Sequence, residues 1–331
     1  MFTPWRFCQR GQLSFRTKLM GWGIGSGKVY IGVAFGNTLY FLFILLLIAL
    51  VFGTRSLCRR FGKEFTRNLL LILYWSNFAL HFLKQFNPYY ISRLPNSLGS
   101  SSLENFCAIL IVISPFVFVF GNDYLKDYLF YVGIVSGIMV YLVPTGALGR
   151  DLGDLDSLLE VLRFYGCHAP LVIGGYLMVE EGLHRLDYHR LWAIPLMFTA
   201  VNGVVFLNGV FLGFVLHFPG WPSTWEQFSD RDCFVNQSFT FGPMRQFDGA
   251  LGWVYKLMIP GLQTYHNSNG ELCFVPVIYM LIPLYIATAL FGPWLCYKYE
   301  KRHYRMDFEE WKQRLKMRRY KSAKRKGAIT R

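Results

Sequence analysis

Seven stretches of this chain are apolar over roughly the length that a helix needs to cross a membrane, and this pattern constrains the fold more than any other feature. They cover about residues 30–52, 68–86, 103–121, 128–147, 164–180, 191–216 and 274–297. At about 1.5 Å per residue, most of them reach across a hydrocarbon layer of ~30 Å. The chain is therefore predicted to be an all-α, polytopic membrane protein with about seven transmembrane helices.

The composition supports the same class. Hydrophobic residues make up 53% of the 331 residues and charged residues 16%, whereas soluble domains carry about 25% charged residues. The net charge of +14 is concentrated at one end, because 14 of the 34 lysines and arginines lie from Lys298 onward. A polybasic segment beside a membrane helix binds anionic lipid headgroups. Membrane lipids are thus the expected partners, and nucleic acid is not expected.

The same basic residues predict the orientation. With the N-terminus outside, the inside segments hold 22 of the 34 lysines and arginines and the outside segments hold 12. Because cytoplasmic loops are richer in these residues, we expect an N-out, C-in protein of the cell membrane. The predicted parts are an N-terminal arm at 1–29 on the membrane surface, a helical bundle at 30–297 and a basic amphipathic cytoplasmic tail at 298–331. Within the bundle, 217–273 is predicted to be a long extracytoplasmic loop with a re-entrant segment near 249–264.

Neither a cofactor nor a metal ion is predicted from the motifs. The segment GWGIGSGK at 21–28 departs from the phosphate-loop pattern, since Trp22 and Val29 stand where Gly and Ser or Thr are needed. The seven cysteines are scattered and include no Cys-x-x-Cys pair. Cys233 and Cys273 lie in the same predicted loop, where a disulfide between them is an open alternative.

Two patterns predict where helices begin. Ser101 with Glu104, and Ser157 with Glu160, each fit a capping box ahead of an apolar run. The third and fifth spans are therefore expected to start at these serines.

Glycines at helical spacing predict close packing between helices. Gly133 and Gly137 lie in the fourth span, and Gly209 and Gly213 lie in the sixth. Small residues four apart let neighbouring membrane helices approach each other.

His168 is the residue that most suggests a functional site. It lies at the start of the fifth span, five residues after Arg163, and an unpaired polar side chain in hydrocarbon is costly. The third and fifth spans are both predicted to enter from outside, so polar residues at the head of the third converge on the same end. A pocket at the outer leaflet around His168 is therefore predicted. The alternative is a histidine hydrogen-bonded to a neighbouring carbonyl, or to Asn202, for packing alone.

A nucleophile for His168 is expected on the third span. Cys107 is the nearest thiol, and the hydroxyls of Ser97 and Ser101 are open alternatives. Cys167 is not expected to pair with His168, because adjacent helical residues point about 100° apart.

Glu104 and Asn202 are the residues predicted to orient the histidine. Glu104 lies at the head of the third span, and Asn202 is an amide within the otherwise apolar sixth span. By contrast His184, Asp187 and His189 fall in the predicted cytoplasmic loop after the fifth span, and we expect them to be surface residues.

Several short motifs resemble the YwaF-like family of integral membrane proteins. They are Leu94-Pro95, Pro115, the segment 127–137, Pro144, the Phe164-x-x-x-His168 element and Asn202. The resemblance covers about residues 65–215 and implies a six- or seven-helix fold. Eukaryotic relatives include proteins described as lipid acyltransferases, with a histidine and with a cysteine at the head of the third helix. The histidine corresponds to His168, whereas Gly99 stands at the cysteine position.

Two classes of function follow from these observations. The first hypothesis is an enzyme of lipid acyl transfer or hydrolysis, with His168 as general base. The alternative is a membrane protein without catalysis, either a binding or transport protein that uses the same pocket or a subunit that anchors partners through its basic tail.

Overall fold

A computed structural model describes residues 31–329 apart from 234–235, 237, 246–247, 257 and 268–269, and the side chains of 250–251 and 319–329 are also outside the description. The predicted N-terminal arm at 1–29 lies outside the described residues. Within them the chain is about 71% helical with almost no strand, as the all-α prediction requires.

The helices and strands follow one another in a simple order. Their bounds are α1 Thr38–Leu83, α2 Pro88–Ile91, α3 Phe106–Phe120, α4 Asp123–Leu142, α5 Leu155–Glu180, α6 Ala193–Val210, α7 Trp225–Phe228, α8 Asp248–Tyr255, β1 Thr264–His266, β2 Leu272–Phe274 and α9 Leu281–Ile329. The two strands pair antiparallel. Short 3-10 helices lie at Lys84–Phe86, Asn96–Ser101 and Tyr188–Arg190, and a π-helical turn at Phe211–Val215 extends α6.

Three of the described helical segments are long and apolar enough to cross a membrane. They are Thr38–Phe86, Asp123–Leu142 and Ala193–Val215. α3 is equally apolar in character but shorter, and α5 carries several charged residues near its ends. These helices support a membrane protein, while the count of seven spans and the orientation stay predictions.

Helix α1 is broken at Gly62, which lies between the first two predicted spans. Gly62 has a φ of 84°, a left-handed conformation that favours glycine. The part of α1 before Gly62 runs in the same direction as α5. Phe43 stacks on Tyr165 with ring centroids 4.0 Å apart, and Arg55 forms an ion pair with Glu180 further along both helices.

The part of α1 after Gly62 runs in the opposite direction to α5. Tyr74 packs against Gly174, and Asn77 donates to the Cys167 carbonyl oxygen at 2.8 Å. Residues later in α1 therefore contact residues earlier in α5. The chain therefore reverses at the break, as two separate antiparallel helices would.

The bundle has two polar ends. One of them, which we call the Ser97 end, is where the start of α1 meets the end of α4. There the Tyr40 hydroxyl donates to the Leu142 carbonyl oxygen at 3.1 Å. The other, which we call the His184 end, is where the start of α4 meets the segment after α5. There the His184 Nε2 lies 2.6 Å from Asp127 Oδ1. Successive helices connect these two ends alternately.

Glycines bring α4 and α5 close together, as predicted. A Cβ at Gly137 would lie 3.1 Å from the His168 carbonyl oxygen, and one at Gly175 would lie 3.3 Å from the Leu129 carbonyl oxygen. Contacts at this range leave no room for a larger side chain, so the two backbones pack directly.

The glycines of α6 serve a different contact from the predicted one. Gly209 packs against the Phe228 ring, and Gly213 packs against the Pro222 carbonyl oxygen. Both neighbours belong to the segment after α6 and not to another spanning helix. The prediction of helix–helix packing at this pair is wrong, because the loop folds back over α6.

Both predicted capping boxes are also wrong. α3 begins after Asn105, whose side chain accepts from the Ala108 N–H at 2.8 Å. α5 begins after Asp154, whose carboxylate accepts from the Ser157 N–H at 3.0 Å. Hydrogen bonds from Ser157 hold the pKa of Asp154 below its usual range. Asn and Asp cap helices at least as well as Ser, and each shifts the helix start away from the predicted serine.

The segment 217–273 contains α7, α8 and the strand β1, with a small apolar cluster in which Phe228, Cys233 and Phe241 are buried. Near the predicted re-entrant segment, α8 ends at Tyr255 and a turn leads into β1. The structure has no disulfide between Cys233 and Cys273, so the alternative considered above is not formed.

Helix α9 is broken at Glu300 and then continues as the tail. Tyr304 stacks on Tyr188 at 4.2 Å, whereas Phe308 and Trp311 are more than half exposed and stack on each other. The described part of the tail thus carries exposed apolar side chains among its basic residues, and its role as an amphipathic surface helix stays a prediction.

Alanine at Gly174 should destabilise the bundle. A Cβ there would overlap the ring of Tyr74, which is fully buried and has no space to move into. We expect a loss of about 1–3 kcal/mol, measured as a lower thermal midpoint in detergent. Gly166→Ala on the same helix is the matched control, because its Cβ would meet open space. An unchanged midpoint for Gly174→Ala would contradict this packing of α1 on α5.

Candidate functional site

His168 is buried on α5 and makes two contacts through Nδ1. This nitrogen lies 2.5 Å from the Phe164 carbonyl oxygen and 3.2 Å from the Cys167 Sγ. A carbonyl oxygen only accepts, so Nδ1 carries a proton. The expectation that Cys167 does not meet His168 is wrong. Both side chains lean back over the preceding turn, where they share the Phe164 oxygen.

Cys107 reaches the same imidazole from α3. Its thiol interacts with His168 and also lies 3.0 Å from the Ser136 hydroxyl of α4. The structure therefore brings together the predicted thiol and the predicted histidine from two different helices. Their approach depends on α3, α4 and α5 packing side by side.

Ser97 and Ser101 lie close by, but their hydroxyls have other partners. The Ser97 hydroxyl donates to the Tyr90 carbonyl oxygen at 2.7 Å, and the Ser101 hydroxyl accepts from the Gln85 side chain at 2.7 Å. The Ser101 carbonyl oxygen faces His81 Nε2 at 3.2 Å. These bonds hold the short 3-10 helix Asn96–Ser101 against the end of α1.

Two cations interact with the Cys167 thiol, the buried Lys84 and the half-buried Arg163. Lys84 donates to the Ser100 carbonyl oxygen and interacts electrostatically with Glu104 and Cys167. Arg163 interacts with Cys167 as well, with its NH1 3.9 Å from the sulfur. Positive charge therefore surrounds the site from α1 and from α5.

A carboxylate of α5 balances one of these cations. Glu160 forms a two-pronged ion pair with Arg163 at 2.5 and 2.6 Å and accepts from the Tyr90 hydroxyl at 3.0 Å. Its side chain is only 4% exposed. We call His168 and the six residues joined to it by these interactions the His168 cluster. Its members are Lys84, Glu104, Cys107, Glu160, Arg163, Cys167 and His168.

Asn202 has a different partner from the one considered in the sequence. It is fully buried on α6, and its Oδ1 accepts from the Thr240 hydroxyl at 2.8 Å. This bond ties the segment after α6 to the helix. Of the two predicted orienting residues, only Glu104 has an interaction that joins it to the His168 cluster among the described residues.

Gly99 faces the indole of Trp221. A Cβ at position 99 would overlap the indole nitrogen. Because Trp221 fills the space in front of Gly99, a side chain at the family's cysteine position does not fit here. The thiols that interact with His168 are those of Cys107, eight residues further along the chain, and of Cys167.

Two buried side-chain oxygens beside the cluster lack a hydrogen-bond partner. They are Asn77 Oδ1 and Gln85 Oε1, and both belong to the end of α1 and the turn that follows it. Buried polar atoms without a partner are uncommon in proteins. Acceptors aimed into this region are suited to a ligand hydroxyl or amide.

Four residues of this region were not predicted as site residues from the sequence: Lys84, Tyr90, Glu160 and Arg163. One signal was present, since Glu160 and Arg163 are three residues apart and meet on one helix face. Lys84 also interrupts the end of an apolar span, where a charge needs a partner.

The opposite end holds a second polar network. His184 and Asp127 are both buried, and Arg190 Nε lies 2.6 Å from the same carboxylate. Arg185 pairs with the buried Glu300 at 2.9 Å. The prediction that His184 is a surface residue is wrong, because α4 covers it. His189 is exposed, as expected.

Three side chains in this network could approach a metal ion. Ligand atoms of Asp187, Glu300 and His303 all lie within 4.8 Å of one another. Arg185 already neutralises Glu300, and Asp187 accepts from the His189 N–H. Ion pairs and hydrogen bonds therefore account for the carboxylates in this cluster.

Comparison with known proteins gives one match. The model of a family described as the TMEM164 family matches residues 32–220, a range that includes the whole His168 cluster. It does not name the YwaF-like family. No curated protein and no solved structure matches the chain.

Glu160→Gln should destabilise the protein strongly. The change leaves the half-buried Arg163 beside a neutral amide, and breaking a buried pair on one side costs up to about 3–5 kcal/mol. Combining it with Arg163→Met should restore most of the loss, because neither charge then remains. The thermal midpoint in detergent measures both variants. Glu309→Gln, in an exposed pair with Lys312, is the control and should shift the midpoint little. Equal midpoints for both single variants would contradict the buried pair.

Proposed function

The chain belongs to the TMEM164 family, a family of transmembrane proteins, and on that premise we propose that it is a membrane-embedded enzyme of lipid acyl transfer or hydrolysis. The observation that carries the proposal is the electrostatic interaction of the half-buried Cys107 thiol with the buried His168 imidazole. A thiol next to an imidazole is the arrangement of an activated nucleophile. Its place among membrane helices favours a lipid as the substrate.

In the proposed reaction His168 is the general base. Its Nε2 accepts the Cys107 thiol proton, and the thiolate attacks the carbonyl carbon of an acyl ester. The ester C–O bond breaks, and the leaving alkoxide takes the proton back from Nε2. The acyl group, now a thioester on Cys107, then passes to water or to the hydroxyl of a second lipid, again with His168 as base.

Lys84 and Arg163 supply the electrostatic part of the proposal. Attack on the ester creates negative charge on the carbonyl oxygen, and fixed positive charge in a site of low dielectric stabilises it. Arg163 is already engaged in an ion pair with Glu160. Lys84 is therefore the cation proposed to stabilise the carbonyl oxygen. Glu104, which interacts with Lys84, would position that ammonium group.

The other predicted residues take supporting roles. Ser97 and Ser101 hold the 3-10 helix beside the site, and they are weaker candidates for the nucleophile because their hydroxyls are engaged. Asn202 would hold the segment after α6 over the Ser97 end through Thr240.

We propose the finer membrane topology on the same basis. Seven spans with the N-terminus outside agree with the reversal of the chain at Gly62 and with helices that alternate between the two ends. The basic residues cluster accordingly, with Arg55 and Arg59 at the His184 end. The His168 cluster would then lie at the outer leaflet of the cell membrane, and the tail from Lys298 would lie on anionic lipid at the cytoplasmic side.

Replacing either member of the pair should abolish turnover. Loss of the general base costs about 10²–10⁴ in rate, so His168→Ala and Cys107→Ala should both fail to restore a lipid species that is absent from cells lacking the protein. Mass spectrometry of membrane lipids from these cells, compared with cells carrying the wild type, makes the measurement and identifies the substrate.

Two controls separate catalysis from folding. Cys296→Ala removes a buried thiol at the other end of the bundle, and His189→Ala removes an exposed histidine; both should restore the lipid fully. If all lipid profiles agree, wild type included, the enzyme proposal fails and the pocket binds or transports a ligand. If tail truncation alone abolishes a cellular effect, the protein acts as an anchoring subunit.

A further inference from the structure

A small cavity at the His184 end is bordered by two cations. It has a volume of about 190 Å³ and lies between α1, α3, α4, α5 and the segment that follows α5. Arg67 of α1 and Lys126 of α4 border it, and Leu71, Phe118 and Met178 form part of its apolar wall. The cavity therefore combines positive charge with hydrocarbon.

Neither cation has a protein partner. Among the described residues, no hydrogen bond or ion pair involves the side chain of Arg67 or Lys126. Other basic residues at this end are paired: Arg55 takes Glu180, and Arg190 takes Asp127. The two cations at the cavity are thus available to an anion from outside the chain.

An apolar surface continues from the cavity toward the middle of the bundle. Ile72 and Trp75 of α1 and Phe116 and Val119 of α3 are each more than 40% exposed. The Trp75 and Phe116 rings are 5.2 Å apart in a T-shaped contact, so the exposed faces of the two helices are continuous. Such a surface fits an acyl chain that lies along the two helices.

We propose that this cavity binds the phosphate of an anionic phospholipid, with an acyl chain on the adjoining face of α1 and α3. Arg67 and Lys126 hold the phosphate by charge-assisted hydrogen bonds. Basic pockets between membrane helices recognise lipid headgroups in this way, and the cytoplasmic leaflet carries the anionic lipids. A free phosphate ion also carries negative charge, but it would leave the exposed apolar face of α1 and α3 uncovered.

The site is separate from the His168 cluster. It lies at the opposite end of α5, and no residue belongs to both. A lipid bound here is a structural or regulatory ligand and not the substrate of the proposed reaction. Whether this lipid site exists therefore does not depend on whether the protein is an enzyme.

Lipid binding by the full chain tests the proposal. The purified protein is mixed in detergent with equal amounts of phosphatidic acid and phosphatidylcholine, and native mass spectrometry counts the lipids retained. Wild type should retain phosphatidic acid preferentially. Replacing both cations, by Arg67→Gln with Lys126→Gln, should reduce this retention by about tenfold or more, since each basic residue near a lipid surface contributes about a kcal/mol.

Two further variants serve as controls. Lys63→Gln removes an exposed cation of the same helix that does not border the cavity, and it should leave retention unchanged. Arg67→Lys keeps the charge and should keep most of the binding. Because neither cation has a partner among the described residues, their removal leaves no buried charge behind in that part of the chain, and thermal midpoints should match the wild type.

Added inorganic phosphate separates the two sources of the anion. At the concentration that a short-chain phosphatidic acid needs to displace the bound lipid, inorganic phosphate should displace little. Equal displacement by both would overturn the lipid assignment and leave an anion site only. Equal retention by wild type and the double glutamine variant, or an equal loss in Lys63→Gln, would overturn the site itself.

Discussion

The packing of α5 against its neighbours is the constraint on which the rest of the structure depends. Both halves of α1 and the glycine face of α4 lie directly against this helix. Close contact of backbones fixes where each end of α5 lies relative to the other helices. His168 is thereby held against α3 at one end, and Glu180 is held against the arginines of α1 at the other.

Both polar ends contain engaged and unengaged polar groups. At the His184 end, Asp127 has both carboxylate oxygens engaged, whereas Arg55 Nε and Glu181 Oε1 are buried without a hydrogen-bond partner among the described residues. At the Ser97 end, Asn77 and Gln85 each keep a side-chain oxygen without such a partner. These two acceptors are set apart by their place beside the His168 cluster, where a ligand could donate to them.

Much of this arrangement could be predicted from residue patterns. Apolar runs indicate the helices, the polar head of the third span indicates the end at which the candidate site lies, and the residue types of His168 and Cys107 make both of them candidates. The helix starts could not be placed as well. Serine, asparagine and aspartate all cap helices, so Asn105 and Asp154 compete with the neighbouring serines, and tertiary contacts decide between them.

Hydrophobicity along the chain was enough to establish a helical membrane protein, because a lipid environment accepts only segments whose backbone bonds are satisfied internally. The partners of the polar side chains were decided by folding. Lys84 and Arg163 lie 79 positions apart in the chain. Both interact with the Cys167 thiol only because the second part of α1 and α5 run antiparallel. Trp221 fills the space at Gly99 for the same reason: side chains distant in sequence meet where helices and loops pack, and periodicity carries no information about that meeting.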